Sequence, residues 1–232
     1  MRTIGMLKNF LIFFVSWGFV AGAHALSLAD VSSQEAGGGL KEALTQGAAK
    51  AVDLLGRPDG FLGNPKVRIP LPGYLEQAEG LMRAMGMGKQ ADELVLAMNR
   101  AAEAAVPEAK RLLIDAVKQM SVEDAKSILT GGEDAGTRYF RQKTQGPLTQ
   151  KFLPIVKKAI DKVKLKDAYE KFASKGAKFG LVKEKDAHLE NYVTEKALDG
   201  LYLMIAEEEK AIRENPVGAA GNLAKKVFGA LK

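Results

Sequence analysis

The chain has 232 residues, no cysteine, two histidines, 47% hydrophobic residues and a formal net charge of +6 at pH 7. That apolar fraction belongs to a globular protein and excludes general disorder. The absence of cysteine excludes disulfides, thiolate zinc sites, iron–sulfur clusters and a cysteine nucleophile.

The first segment reads as an export signal. Arg2 and Lys8 precede an apolar run from Phe10 to Val20, and Ala23-His24-Ala25 supplies the small-x-small pattern of signal-peptidase cleavage. The run is shorter than the ~20 residues of a comfortable membrane span. The expectation is a signal peptide over residues 1–25, a mature helical domain over 26–232, and a periplasmic location. No cysteine follows the cleavage site, so the protein is not expected to be a lipoprotein, and no transmembrane span is expected in the mature chain.

Helical periodicity dominates the remainder. Leu40, Leu44, Ala48, Ala51 and Leu55 fall on one helix face, and Gly56-Arg57-Pro58 marks its end. Further helices are expected over Tyr74–Met85, Lys89–Val106, Glu108–Met120, Val122–Leu129, Pro147–Val163, Asp167–Ser174, Leu189–Arg213 and Val217–Leu231. Ser121 and Asp124 are spaced as a capping box. Pro107, Pro147 and Pro216 are placed in first turns, whereas Pro154 is expected to kink or split its helix.

One segment breaks this pattern. Residues 56–73 hold Pro58, Pro65, Pro70 and Pro72, and Val67, Ile69 and Leu71 alternate with Arg68 and Pro70. That alternation predicts a small extended element or hairpin near residues 61–71, with a turn at Gly63-Asn64-Pro65. The fold class is therefore all-α: a compact multi-helix domain with one small extended element.

Three stretches carry a family resemblance: LKEALTQGAAKAVDLLGRPDGFLGNPKVRIPLPG, SVEDAKSILTGGEDAGTRYF and EKALDGLYLMIAEEEKAIRENP. The chain resembles the bacterial secreted family known as domain of unknown function 4197. The resemblance implies a helical envelope protein of Gram-negative bacteria, with no established activity and no catalytic residue to transfer.

Charge is uneven along the chain. Residues 138–185 carry a net +10, while 26–137 carry −4 and 186–232 carry −2. Arg138, Arg141 and Lys143 lie beside Tyr139 and Phe140; Lys157, Lys158 and Lys162 lie on an apolar-patterned helix. These six are the candidate anion- or lipid-binding residues, since guanidinium and ammonium groups bind phosphate and carboxylate, and a basic amphipathic helix can lie on an anionic membrane. The plainer reading is a helix with core on one face and water on the other. Arg57, Asp59, Asn64 and Arg68 are candidate functional residues of the Gly/Pro-rich loop, because loops on rigid scaffolds often carry function.

Other motifs read as structure. His188, with Glu190 beside it, reads as a surface histidine near a helix start. Glu207, Glu208 and Glu209 read as a solvated face with Lys210 and Arg213 as partners, since consecutive helical residues point in different directions. The run from Gly131 to Gly136 lacks the Gly-Lys-Ser/Thr ending of a phosphate loop and reads as a link between helices. Met82, Met85, Met87 and Met98 read as core filling before a soft-metal site. No catalytic residue, cofactor site or metal site is assigned.

The leading functional expectation is a non-enzymatic envelope protein that binds an anionic or hydrophobic partner: anionic lipid, an envelope polymer or an envelope protein. Nucleic acid is not expected as a partner. The alternative is a carboxylate-dependent hydrolase or transferase of the cell envelope. Two facing carboxyls of raised pKa in a deep cleft would mark it.

Overall fold

Glu35 and Ser32 begin the first helix with a reciprocal capping box. The Ser32 hydroxyl accepts from the Glu35 N–H at 3.2 Å and the Glu35 carboxylate accepts from the Ser32 N–H at 3.2 Å. In the computed structural model the described residues are 32–73, 80, 83, 84, 86, 88–163, 166, 167, 170, 188–215 and 221–229. The expected signal segment, nearly all of the helix expected over Tyr74–Met85, most of that over Asp167–Ser174, and Pro216 lie outside them.

The helices are α1 (Ser33–Leu55), α2 (Gly88–Ala105), a 3-10 turn (Val106–Glu108), α3 (Ala109–Lys118), α4 (Val122–Leu129), α5 (Ala135–Ile160), α6 (Leu189–Glu214) and α7 (Asn222–Gly229). The fold is all-α, with no strand among the described residues. No helix among them is long and apolar enough to cross a membrane. Leu40, Leu44, Ala48, Ala51 and Leu55 are all buried, as their spacing requires, and α1 packs on α3, α4, α6 and α7. The Ser121–Asp124 box forms as expected and opens α4.

The central helix departs from expectation. Pro147 does not start a helix and Pro154 does not split one: both lie inside the continuous α5. Neither proline can donate to the carbonyl four residues back, at Lys143 and Gln150. Both of those residues lie on the exposed side of the helix, where a carbonyl without an intrahelical donor is open to solvent. Tertiary packing holds the helix across the two gaps. Phe140, Thr144, Leu148, Phe152, Val156 and Ile160 recur at every fourth residue and all are buried. Four residues advance about 400°, so this row winds through roughly 200° along the helix. α5 is accordingly enclosed by α2, α3, α4 and α6.

The Gly/Pro-rich loop also differs from its expected form. No hairpin forms at residues 61–71; tight turns run from Arg57 to Val67, including the expected turn at Gly63-Asn64-Pro65. The loop has a side-chain partner in place of a neighbouring strand. Asn99 of α2 accepts from the Ile69 N–H at 2.8 Å and donates to the Ile69 carbonyl at 2.9 Å and the Val95 carbonyl at 2.8 Å. One helix turn away, Glu103 accepts from the Phe61 N–H at 3.0 Å and the Leu62 N–H at 3.2 Å. Phe61, Val67, Ile69 and Leu71 are buried against the helices. The packed form accounts for Gly200 on α6, where a Cβ would lie 2.8 Å from the Phe61 ring. With its backbone clasped in this way, the loop is expected to resist limited trypsin digestion at Lys66 and Arg68 for as long as the helices do. Rapid cleavage there in otherwise intact protein would contradict the clasp.

Candidate functional site

The six basic candidates do not form one patch. Arg138 pairs with Asp134 at 3.1 Å, and Arg141 pairs with Asp199 at 3.1 Å while its guanidinium lies 4.6 Å from the centre of the Tyr202 ring. Lys143 lies over the Tyr139 ring at 5.7 Å. Tyr139 and Phe140 are core residues, and the Tyr139 hydroxyl donates to the Ala116 carbonyl at 2.8 Å. Burial pushes the hydroxyls of Tyr139 and Tyr202 up; at Tyr202 a hydrogen bond with Thr144 and the Arg141 charge oppose it. Lys157 pairs with Asp161 at 3.2 Å, whereas Lys158 and Lys162 are exposed without an acidic partner among the described residues. Lys158 is twenty residues from Arg138 on α5, about 30 Å along the axis and roughly 200° around it. The arginines and the C-terminal lysines therefore face different directions.

The loop candidates divide between structure and solvent. Asp59 adopts a positive φ of 64° and pairs with Arg100 of α2 at 2.7 Å. The Asn64 side chain accepts from the Lys66 N–H at 3.1 Å, and its carbonyl receives the N–H groups of Val67 and Arg68. Asp59 and Asn64 thus shape the loop, while Arg57 and Arg68 are exposed.

The three consecutive glutamates of α6 point three ways. Glu207 pairs with Lys66 of the loop and Glu208 with Lys50 of α1, each at 2.7 Å. Glu209 is buried, contrary to the solvated face expected for all three. It caps the start of α5, accepting from the Gly136 N–H at 2.9 Å and from the Thr137 N–H and hydroxyl at 2.8 and 2.9 Å. Arg213 neutralises it through Nη2 at 2.8 Å, as the sequence suggested. A carboxylate at a helix N-terminus is the favoured charge there. Gly131–Gly136 links α4 to α5, as expected, and this anion site is filled from within the chain.

One apolar cavity was not anticipated. A groove of about 570 Å³ lies between the first turns of α1 and the length of α4. Ala36, Gly37, Met120, Val122, Ala125 and Leu129 form its apolar lining, and Lys41 and Lys126 stand at it without an ion pair among the described residues. Val122 is 69% exposed, which is high for a large apolar side chain on a folded helix. The sequence carried one signal of this groove: Gly37, Gly38 and Gly39 in succession within a helix, where each glycine costs about 1 kcal/mol relative to alanine. Gly39 has a packing reason, since a Cβ there would sit 2.6 Å from the Leu223 carbonyl of α7. Gly37 shows none among the described residues; its Cβ would meet nothing of theirs within 4 Å and would enter the groove.

A second cleft, of about 330 Å³, separates α5 from α6 and is lined by Arg141, Gln145, Thr149, Asn191, Glu195 and Asp199. Its two carboxylates lie one turn apart on the same helix, and Asp199 is held by Arg141. They do not face each other across the cleft as an acid–base pair would. Of the five other methionine and histidine candidates, Met98 is wholly buried in the core, His188 is exposed at the start of α6, and Met82, Met85 and Met87 include no described residue.

No curated protein and no solved structure matches the chain. A family model described as "Protein of unknown function (DUF4197)" matches residues 30–229, which covers every helix from α1 to α7. The chain belongs to the DUF4197 family.

Proposed function

We propose that this protein is a non-enzymatic binding protein of the bacterial cell envelope, and that its ligand is an anionic amphiphile with one acyl chain. The groove between α1 and α4 carries this reading. Its volume lies in the range of small-molecule sites, and its lining is apolar, as an acyl chain requires. Lys41 and Lys126, without an ion pair among the described residues, supply two positive charges for a carboxylate or phosphate head group. Gly37 leaves space at the helix surface that no atom of the described residues fills. The export signal read at residues 1–25 supports an envelope location, where such amphiphiles occur. The carboxylate-dependent enzyme is the weaker reading, because the polar cleft offers an ion-paired aspartate and a glutamate on one helix.

The test is a substitution that separates binding from folding. Gly37→Leu places an apolar side chain in the groove and raises helix propensity by roughly 0.5–1 kcal/mol. Thermal unfolding is expected at an equal or higher Tm than wild type. Binding of a fluorescent fatty acid is expected to weaken by at least about tenfold, roughly 1.4 kcal/mol. Unchanged binding in Gly37→Leu, or no binding by the wild type, would overturn the proposal.

A further inference from the structure

Among the described residues, three buried side-chain polar atoms have no hydrogen-bond partner: Glu170 Oε1, Glu190 Oε2 and Thr194 Oγ1. Native proteins satisfy nearly all such atoms, so a concentration of exceptions calls for a physical explanation. Two of them belong to one cluster. Glu170, His188 and Glu190 each offer a donor atom, and these atoms lie within 4.8 Å of one another. Thr194 sits one turn beyond Glu190 on the same face of α6 and is 2% exposed. The unsatisfied atoms therefore gather at the N-terminal end of α6.

We propose that Glu170, His188 and Glu190 form a binding site for a divalent first-row transition-metal ion, with Zn²⁺ as its representative. Two carboxylates and a neutral imidazole balance a 2+ charge and match the oxygen and nitrogen donors such ions take. The imidazole disfavours Mg²⁺ and Ca²⁺, which prefer all-oxygen shells. The lack of a thiolate or thioether disfavours Cu(I). Metal bonds of about 2.0–2.2 Å bring tetrahedral donors to roughly 3.3 Å apart, so the three side chains close inward when the ion enters. Three protein donors leave a coordination position for solvent.

Lys166 sets a condition on this site. Its ammonium lies 3.6 Å from Glu170 Oε1 and also bonds Asp161, which in turn pairs with Lys157. The hydrogen bond with Asp161 holds the Lys166 ammonium above its ordinary range and Asp161 below its own. The ammonium and the metal ion compete for Glu170, and Asp161 is where the ammonium goes when the ion binds. Removing the lysine charge therefore strengthens metal binding, whereas it would only weaken a purely structural ion-pair cluster.

Zn²⁺ titration of the tag-free protein by calorimetry tests the site, with Mg²⁺ as the control ion. One Zn²⁺ per chain is expected, with a Tm that rises with Zn²⁺ concentration. His188→Ala and Glu190→Gln are each expected to weaken Zn²⁺ by at least about tenfold. Lys166→Gln is expected to tighten it several-fold. Unfolding of each variant without metal separates a lost ligand from a lost fold. Absence of Zn²⁺ binding, equal binding in Glu190→Gln and wild type, or weaker binding in a folded Lys166→Gln protein would overturn the proposal.

Discussion

Glu209→Ala is expected to destabilise the protein by about 3–5 kcal/mol, the range for removing one partner of a buried ion pair. The side chain does three things together. It satisfies two N–H groups at the start of α5, it receives the Thr137 hydroxyl, and it balances the Arg213 guanidinium. Without it the α5 N-terminus loses its cap, because the Asp134 side chain makes no capping bond. Arg213 is left 15% exposed, with the Phe228 ring 5.5 Å away and the Ile128 carbonyl as its remaining acceptor. Adding Arg213→Met to Glu209→Ala is expected to recover part of the loss, because the unpaired buried charge is the larger cost. Urea unfolding of the two variants measures both effects. A loss below about 1 kcal/mol for Glu209→Ala would show that the contact contributes no more than a surface ion pair.

Asn99→Leu is expected to cost about 3 kcal/mol and to release the loop. Leucine preserves the apolar bulk and removes every hydrogen bond. The Ile69 N–H and carbonyl then stay buried without partners, at roughly 1–3 kcal/mol for each unsatisfied group. Loop and core share Phe61, Val67 and Ile69, so loosening the loop also loosens its packing on α6 at Gly200. Faster trypsin cleavage at Lys66 and Arg68 is expected at denaturant concentrations where the helices remain folded. Asn99→Asp is expected to be at least as damaging, because a second acceptor would replace the amide donor facing the carbonyls of Ile69 and Val95. Wild-type stability and cleavage in both variants would refute the clasp.

Several parts of this fold were legible before the structure because they depend on local chemistry. The buried face of α1 follows from apolar residues at steps of three and four. The limits of α4 follow from a serine–aspartate box at one end and Gly131-Gly132 beyond the other. The burial of Phe61, Val67, Ile69 and Leu71 follows from their apolar surface, too large for a linker. The family resemblance was legible too, and the match over residues 30–229 agrees with it. The groove was visible only as an unexplained run of glycines, because a cavity is defined by what the opposite helix leaves unfilled.

The helical class, most of the helix limits, the capping box of α4 and the apolar character of the Gly/Pro-rich loop are all set by local chemistry. Each depends on interactions within a few residues, whose periodicity and chemistry are written in order along the chain. Long-range packing carries α5 through two prolines, puts Asn99 and Glu103 in the place of a strand beside the loop, and takes Glu209 out of solvent to cap α5. It also divides the basic residues of 138–162 around a helix. These outcomes depend on partners 30 to 73 residues distant, or on the winding of a four-residue row around a long helix. Neither is recorded in a local pattern, because a side chain's burial and charge balance are set by whichever distant segment packs against it.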